Sequence, residues 1–179
     1  MSSTTKPNSE EQLIDVKASV LGVALANKKF TPENSSSGYS TSLEELKKQL
    51  TLSGEKMIGD PKPFYKEGVP SSPAGYVIET EKAIMVSYHG TQFGNILGSG
   101  AKEILHDLQN YKSNMQFGNE KLEVHAGFKK EYDASKGDLK RALAEVPIDK
   151  KPLVISGHSL GGAVAQIAAL DIQANKIKI

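Results

Sequence analysis

The sequence predicts an α/β fold, a mostly parallel sheet with flanking helices. Three observations carry that expectation. The chain has 179 residues, enough for one domain with a real core. In its second half, apolar runs of strand length alternate with segments of helical period, the order that builds a parallel sheet through crossover helices. A glycine-flanked serine, Gly157-His-Ser-Leu-Gly161, stands between one such strand and one such helix.

Taken in order, residues 1–10 are rich in Ser, Thr, Asn and Pro and read as a disordered tail, leaving 11–179 as the domain. Residues 11–30 turn helical. Leu13, Val16, Val20, Val23 and Ala24 recur at spacings of three and four, with Lys17, Lys28 and Lys29 off that stripe. Residues 31–42 are a loop. Thr41 or Ser42 can cap the next helix, where Glu44 and Glu45 suit the positive N-terminal end and Leu43, Leu46 and Leu50 form the apolar stripe. Residues 58–75 are rich in proline and glycine, so they are expected to wind irregularly.

Residues 75–78 and 83–88 read as two strands joined by a short charged turn. Residues 92–100 form a glycine-punctuated loop. Residues 102–111 follow as a helix with Ile104, Leu105 and Leu108 facing inward. Residues 122–125 are a short extended piece. Residues 128–144 form a long helix with Gly137 as a weak point, 153–156 a buried strand and 161–174 a helix. Residues 176–179 alternate like the start of another strand. There is no internal repeat.

Composition mostly excludes. With 22 Lys+Arg against 21 Asp+Glu the net charge is +1, so no global field recruits nucleic acid or an anionic membrane. The absence of cysteine rules out a disulfide framework, a Cys-ligated metal and a cysteine nucleophile. The polar start lacks the apolar core of a signal peptide. The apolar run Val20-Leu-Gly-Val-Ala-Leu-Ala26 is far below the ~20 residues of a membrane span. These features predict a soluble chain, cytoplasmic in synthesis; export without a cleaved signal would leave no trace in them.

The segment around Ser159 matches G-x-S-x-G. A nucleophilic serine at the tip of a sharp strand-to-helix turn leaves no room for side chains two residues before and after it. The helix that follows offers free N–H groups and its positive end to an oxyanion. The pattern alone is weak in a chain with 16 glycines. Its context is stronger: Pro152-Leu-Val-Ile155 leads in, and the small residues Gly162, Ala163 and Ala165 follow where a helix must pack closely on a sheet. The bland alternative is a buried strand–loop–helix whose Ser merely caps the helix.

Three motifs stand in order over roughly residues 75–179: Val86-Ser-Tyr-His-Gly-Thr91, Val124-His-Ala-Gly-Phe128 and Ile155-Ser-Gly-His-Ser-Leu-Gly-Gly-Ala163. With them the sequence resembles the class 3 (fungal-type) lipases of the α/β-hydrolase superfamily. The resemblance implies an α/β-hydrolase-type sheet. It also implies Ser159 as nucleophile, with Thr91 and the backbone N–H of Leu160 as the oxyanion hole. It places a lid in residues 92–100, where Phe93, Ile96 and Leu97 lie between Gly94, Gly98 and Gly100; an ordinary connection is the alternative. His89 stands where the family usually has Arg, a departure expected to affect local packing rather than chemistry.

A serine hydrolase also needs a His base and an orienting acid, in chain order after the Ser. No His follows Ser159, and Asp171, the sole acid there, sits on the helix leaving the turn. Of the four histidines, His158 lies inside the turn with its ring expected to point away from the serine hydroxyl. His125 reads as structural rather than catalytic, and His106 as part of a solvated face with Lys102, Glu103 and Asp107. No histidine pair has a convincing metal-ligand spacing, and the glycine-rich loop lacks the P-loop Lys. The resemblance therefore implies a sheet incomplete at the C-terminus, with the base and acid outside these residues. The chain is then either a fragment of a longer enzyme or a gene remnant.

The resulting expectation is a lipase-like carboxylic ester hydrolase acting on acylglycerols or phospholipids at a lipid–water interface, through an acyl-enzyme intermediate. No cofactor or metal is implied, and the chain alone should be inactive. A thioesterase or other acyl hydrolase, and a catalytically dead remnant or interaction module, remain as alternatives. The oligomeric state is not legible.

Overall fold

The computed structural model describes residues 43–52, 54–90 and 111–175. The order is α1 (Leu43–Leu52), β1 (Lys62–Lys66), β2 (Val69–Glu79), β3 (Ile84–Tyr88), β4 (Lys112–Phe117), β5 (Glu120–His125), α2 (Ala126–Ala144), β6 (Leu153–Gly157) and α3 (Leu160–Asn175). The expected tail at 1–10, helix at 11–30, loops at 31–42 and 92–100, all but the last residue of the helix at 102–111, and strand at 176–179 lie outside the described residues.

A four-stranded sheet runs β1-β2-β3-β6. Alternation along β3 divides the layers. Ile84, Val86 and Tyr88 belong to the larger core, packed with Tyr132, Leu139 and Leu143 of α2 and Val164, Ile167 and Ala168 of α3. Met85 turns the other way and joins Tyr76, Ile78 and the buried Leu50 of α1. Among the described residues, α2 and α3 therefore cover one face and α1 the other. No helix among the described residues is long and apolar enough to cross a membrane.

The sheet corrects the expectation of mostly parallel strands. Of its three described pairings, β1–β2 and β2–β3 are antiparallel and only β3–β6 is parallel. The cause is the length of the connections: Glu67-Gly68 and the turn from Thr80 to Ala83 are too short for a crossover. The second turn is fixed by Thr80, whose Oγ1 accepts from Ala83 N and donates to Ala83 O, both at 3.0 Å.

Residues 58–75 are not irregular as expected, since they hold β1 and the first half of β2. The prolines fit because they sit where a sheet tolerates a missing donor. Pro63 is on the edge strand β1. Pro70 and Pro73 precede Gly75, where pairing with β3 begins, so that stretch of β2 has only β1 beside it. Two register shifts in the β1–β2 pairing, with the extra residues on β2, absorb the mismatch. Tyr65 N on β1 donates to Asp138 Oδ2 at 2.7 Å, and Glu67 N just beyond it to Ala134 O at 2.8 Å, so α2 covers this edge.

The β4–β5 hairpin forms a separate two-stranded sheet. The sequence reading found only its last four residues. Lys112, Asn114 and Gln116 make β4 too polar to register as a strand, although Met115 and Phe117 alternate into the larger core. Helix α2 begins at Ala126, two residues earlier than expected, because His125 caps it: Gly127 N donates to His125 Nδ1 at 3.1 Å.

Candidate active site

β6 ends at Gly157 and α3 begins at Leu160, so only His158 and Ser159 make the turn. Ser159 has φ +53°, and among the described residues it alone has positive φ without being glycine. That conformation costs an L-residue about 1–2 kcal/mol, so the surroundings must hold it. Gly161 N donates to His158 O and Gly162 N to Ser159 O, each at 2.9 Å.

The flanking glycines have a packing reason. A Cβ on Gly157 would lie 2.3 Å from the Gly161 carbonyl. One on Gly161 would lie 2.5 Å from His89 O and 2.7 Å from Tyr88 O, at the end of β3. Parallel pairing of Tyr88 with Gly157 sets these strand ends side by side. The first turn of α3 thus rests directly on backbone. Ser159 and His158 are exposed and Leu160 is half-buried. As the first helical residue, Leu160 has an amide with no partner within its helix, at the positive end of α3.

Beside the turn lies a cavity of about 290 Å³ whose apolar lining is Val69, Pro73, Ala74, the Tyr88 ring, Leu160 and Val164. Lys66 and Glu131, an ion pair, and Ser135 add polar groups. His89 and Gly90 also border it. Thr91, the expected partner in the oxyanion hole, is the next residue and lies outside the described residues, as do the expected lid at 92–100 and His106.

The described histidines are engaged elsewhere or exposed. His125 caps α2 through Nδ1 and tilts its ring against Phe128, 4.6 Å between centroids. His89, where the family usually has Arg, sets its ring edge-on to Tyr76 at 5.5 Å. Among the described residues no histidine hydrogen-bonds the Ser159 hydroxyl.

Asp171 is buried in the α2–α3 interface. Its Oδ2 accepts from the Tyr132 hydroxyl and from Lys136 Nζ, both at 2.6 Å, and its Oδ1 accepts from Asn175 at 2.6 Å. Burial alone would raise its pKa, but Lys136, Tyr132 and Asn175 together hold it below the ordinary carboxylate value. Burial, reinforced by Asp171, pushes the Tyr132 hydroxyl well above its ordinary range. Burial does the same to Tyr88, whose hydroxyl sits beside Ser135 without a hydrogen bond of ordinary geometry. The sequence reading missed this cluster and the cavity, because their members come from different elements with no common spacing.

A parallel strand pair, a strained serine in the turn after one strand and a helix opened by glycines make up a strand–turn–helix of the kind the G-x-S-x-G pattern calls for. The model of the class 3 lipase family matches residues 85–178. That span covers more than half of the chain, and the chain belongs to the class 3 lipase family, a family of lipase-like hydrolases. No curated protein and no solved structure matches it.

Proposed function

We propose that this chain carries the nucleophile of a lipase-like carboxylic ester hydrolase. Ser159 attacks the ester carbonyl and forms an acyl-enzyme, while the Leu160 amide and Thr91 hold the oxyanion. Substrates are lipid esters, acylglycerols or phospholipids, in keeping with the family. The observation that carries the reading is Ser159 at φ +53°, exposed, between two glycines that backbone packing forbids to be anything larger. A serine that merely capped α3 would need no such strain.

A serine without a base attacks slowly. In another triad enzyme, losing the base costs about 10⁶ in kcat. Ester cleavage by the 179-residue chain is accordingly expected to stay near background.

The test is hydrolysis of a short-chain chromogenic ester by the 179-residue chain and by the product of the gene's complete reading frame, each beside its Ser159→Ala variant. Activity of the complete product that Ser159→Ala lowers by about 10⁶ supports the nucleophile. Activity indifferent to the substitution sinks it. Brisk, Ser159-dependent turnover by the 179 residues would show a base among them, with His125 first to be replaced.

A further inference from the structure

Burying a polar group is costly unless it is hydrogen-bonded, and one buried hydroxyl here is not. Tyr88 is 2% exposed, and its hydroxyl has no hydrogen-bond partner among the described residues. Its ring packs edge-on against Phe64, 5.0 Å between centroids, which keeps the hydroxyl inside. Beside it stands Ser135, fully buried, whose single proton is shared between Glu131 O and Tyr132 O, each at 3.1 Å. What Ser135 has left to offer is acceptor capacity. Both residues line the cavity of about 290 Å³, so it holds one free donor next to one free acceptor. A single group that satisfies both is a hydroxyl, whose oxygen accepts from Tyr88 while its proton goes to Ser135.

The other walls ask for hydrocarbon. Val69, Pro73, Ala74, Leu160 and Val164 are apolar, and Lys66 in the lining is already paired with Glu131. A buried water needs about two to four polar partners. Waters filling the whole volume would outrun what these walls supply. An engineered cavity of about 150 Å³ holds benzene, so this one has room for on the order of ten non-hydrogen atoms. Asp171 adds its negative charge to the field at the Tyr88 hydroxyl, which opposes a carboxylate there. We infer that this cavity binds a neutral aliphatic alcohol, with its hydroxyl between Tyr88 and Ser135 and its chain against Val69, Ala74 and Val164. Ser159 is not among the residues that line it, so binding there is a property separate from ester cleavage.

The experiment is titration of the 179-residue chain with hexanol and, separately, with hexanoate, followed through the methyl NMR signals of Ala74 and Val164. Hexanol should shift both signals saturably, and hexanoate should bind at least tenfold more weakly. Tyr88→Phe removes the donor and keeps the ring against Phe64, and Ser135→Ala removes the acceptor. Each should weaken hexanol about three- to tenfold, the worth of one neutral hydrogen bond. Without ligand, Tyr88→Phe should leave the urea midpoint unchanged or raise it, because a buried hydroxyl with no partner is only a cost. A lowered midpoint would mean that the hydroxyl already has a partner, and it overturns the inference. So do hexanoate binding as tightly as hexanol, and hexanol binding that ignores both substitutions. Absence of any saturable shift would leave water as the occupant and overturns it too.

Discussion

The two ends of α3 are fixed to the rest of the molecule by different physics. At the N-terminal end, Gly161 lets the helix touch the carbonyls of Tyr88 and His89, and Gly157 lets β6 touch Gly161. Contact there is backbone on backbone, and its only requirement is absence of side chains. Toward the C-terminal end, Asp171 ties α3 to Lys136 and Tyr132 of α2 through a buried charge. Contact there is all side chain, and its requirement is a matched set of polar groups. The difference suits what each end does. The proposed nucleophile, Ser159, needs one fixed place, and close-packed backbone gives a stiff support. The far end has only to hold two helices together, and a charge cluster does that at a cost in desolvation.

The shape-held end is the easier to break. Gly161→Ala or Gly157→Ala puts a methyl within 2.3–2.5 Å of backbone atoms that have no rotamer to yield. Overpacking usually costs about 1–3 kcal/mol, and these variants should exceed that range because both colliding partners are main chain. Urea unfolding of each variant would show it. A midpoint close to that of the unsubstituted chain would mean that the elbow is looser than its geometry.

The charge-held end should break less severely and, unlike the elbow, in a pH-dependent way. Asp171→Ala strands Lys136, and breaking a buried pair costs about 3–5 kcal/mol. The low end applies because the Lys136 side chain is 31% exposed and can recover water. Asp171→Asn should cost less, since Tyr132 can still donate to it. The folded-state pKa of Asp171 lies below its ordinary 3.8. Its contribution is therefore present above about that pH and lost as pH falls through the depressed value. Tyr88 and Tyr132 are raised above 10.0, so what they contribute is complete below pH 10 and fades as pH rises beyond it. Unfolding free energies at pH 3 and pH 7 decide the acid limb. The Asp171→Asn chain should lose less stability between them than the parent, and equal losses would assign the limb to other carboxylates.

The same division explains what could be read from the sequence. The elbow is local: a strand of five residues, a two-residue turn and a helix, with its constraint written as glycines within five positions. The strand, Ser159 and the helix were legible to within a residue or two. Asp171 and Tyr132 are 39 residues apart, and nothing in their spacing couples them. The cavity draws on β1, β2, β3, α2 and α3, so no window of sequence contains it. β1 and the start of β2 were hidden by Pro63, Pro70 and Pro73, which speak against strands until their edge position is known. Polar β4 was hidden because only Met115 and Phe117 face the core.

A further substitution sharpens the account of the elbow by removing its strain and leaving its packing intact. Ser159→Gly keeps the turn and lets φ +53° be occupied without a Cβ. If the serine is held against its preference, the variant should be more stable by about 1 kcal/mol, the cost of the left-handed conformation less the extra entropy of an unfolded glycine. A gain in stability here, coupled to loss of ester cleavage in the product of the complete reading frame, would be the trade expected of the proposed nucleophile. A loss of stability would show that the serine side chain contributes contacts that outweigh the strain.

The smallest effect belongs to neither end of α3 and serves as the measure of both. Gly137 lies inside α2, one residue after Lys136, and the helix runs through it without interruption from Ala126 to Ala144. A Cβ built there meets nothing within 4 Å, in contrast to Gly157 and Gly161. Glycine in a helix interior costs roughly 0.5–1 kcal/mol relative to alanine, chiefly through the freedom of the unfolded chain. Gly137→Ala should therefore stabilise the protein by about that amount, with the secondary structure and the acid limb of the unfolding curve unchanged. The same exchange of a hydrogen for a methyl at Gly161 should destabilise. Opposite signs for one chemical change at two helical glycines would show that close backbone contact, rather than helix propensity, dictates glycine at the elbow. If Gly137→Ala destabilised as well, the space around α2 would be tighter than its surface suggests, and the contrast between the two glycines would fail.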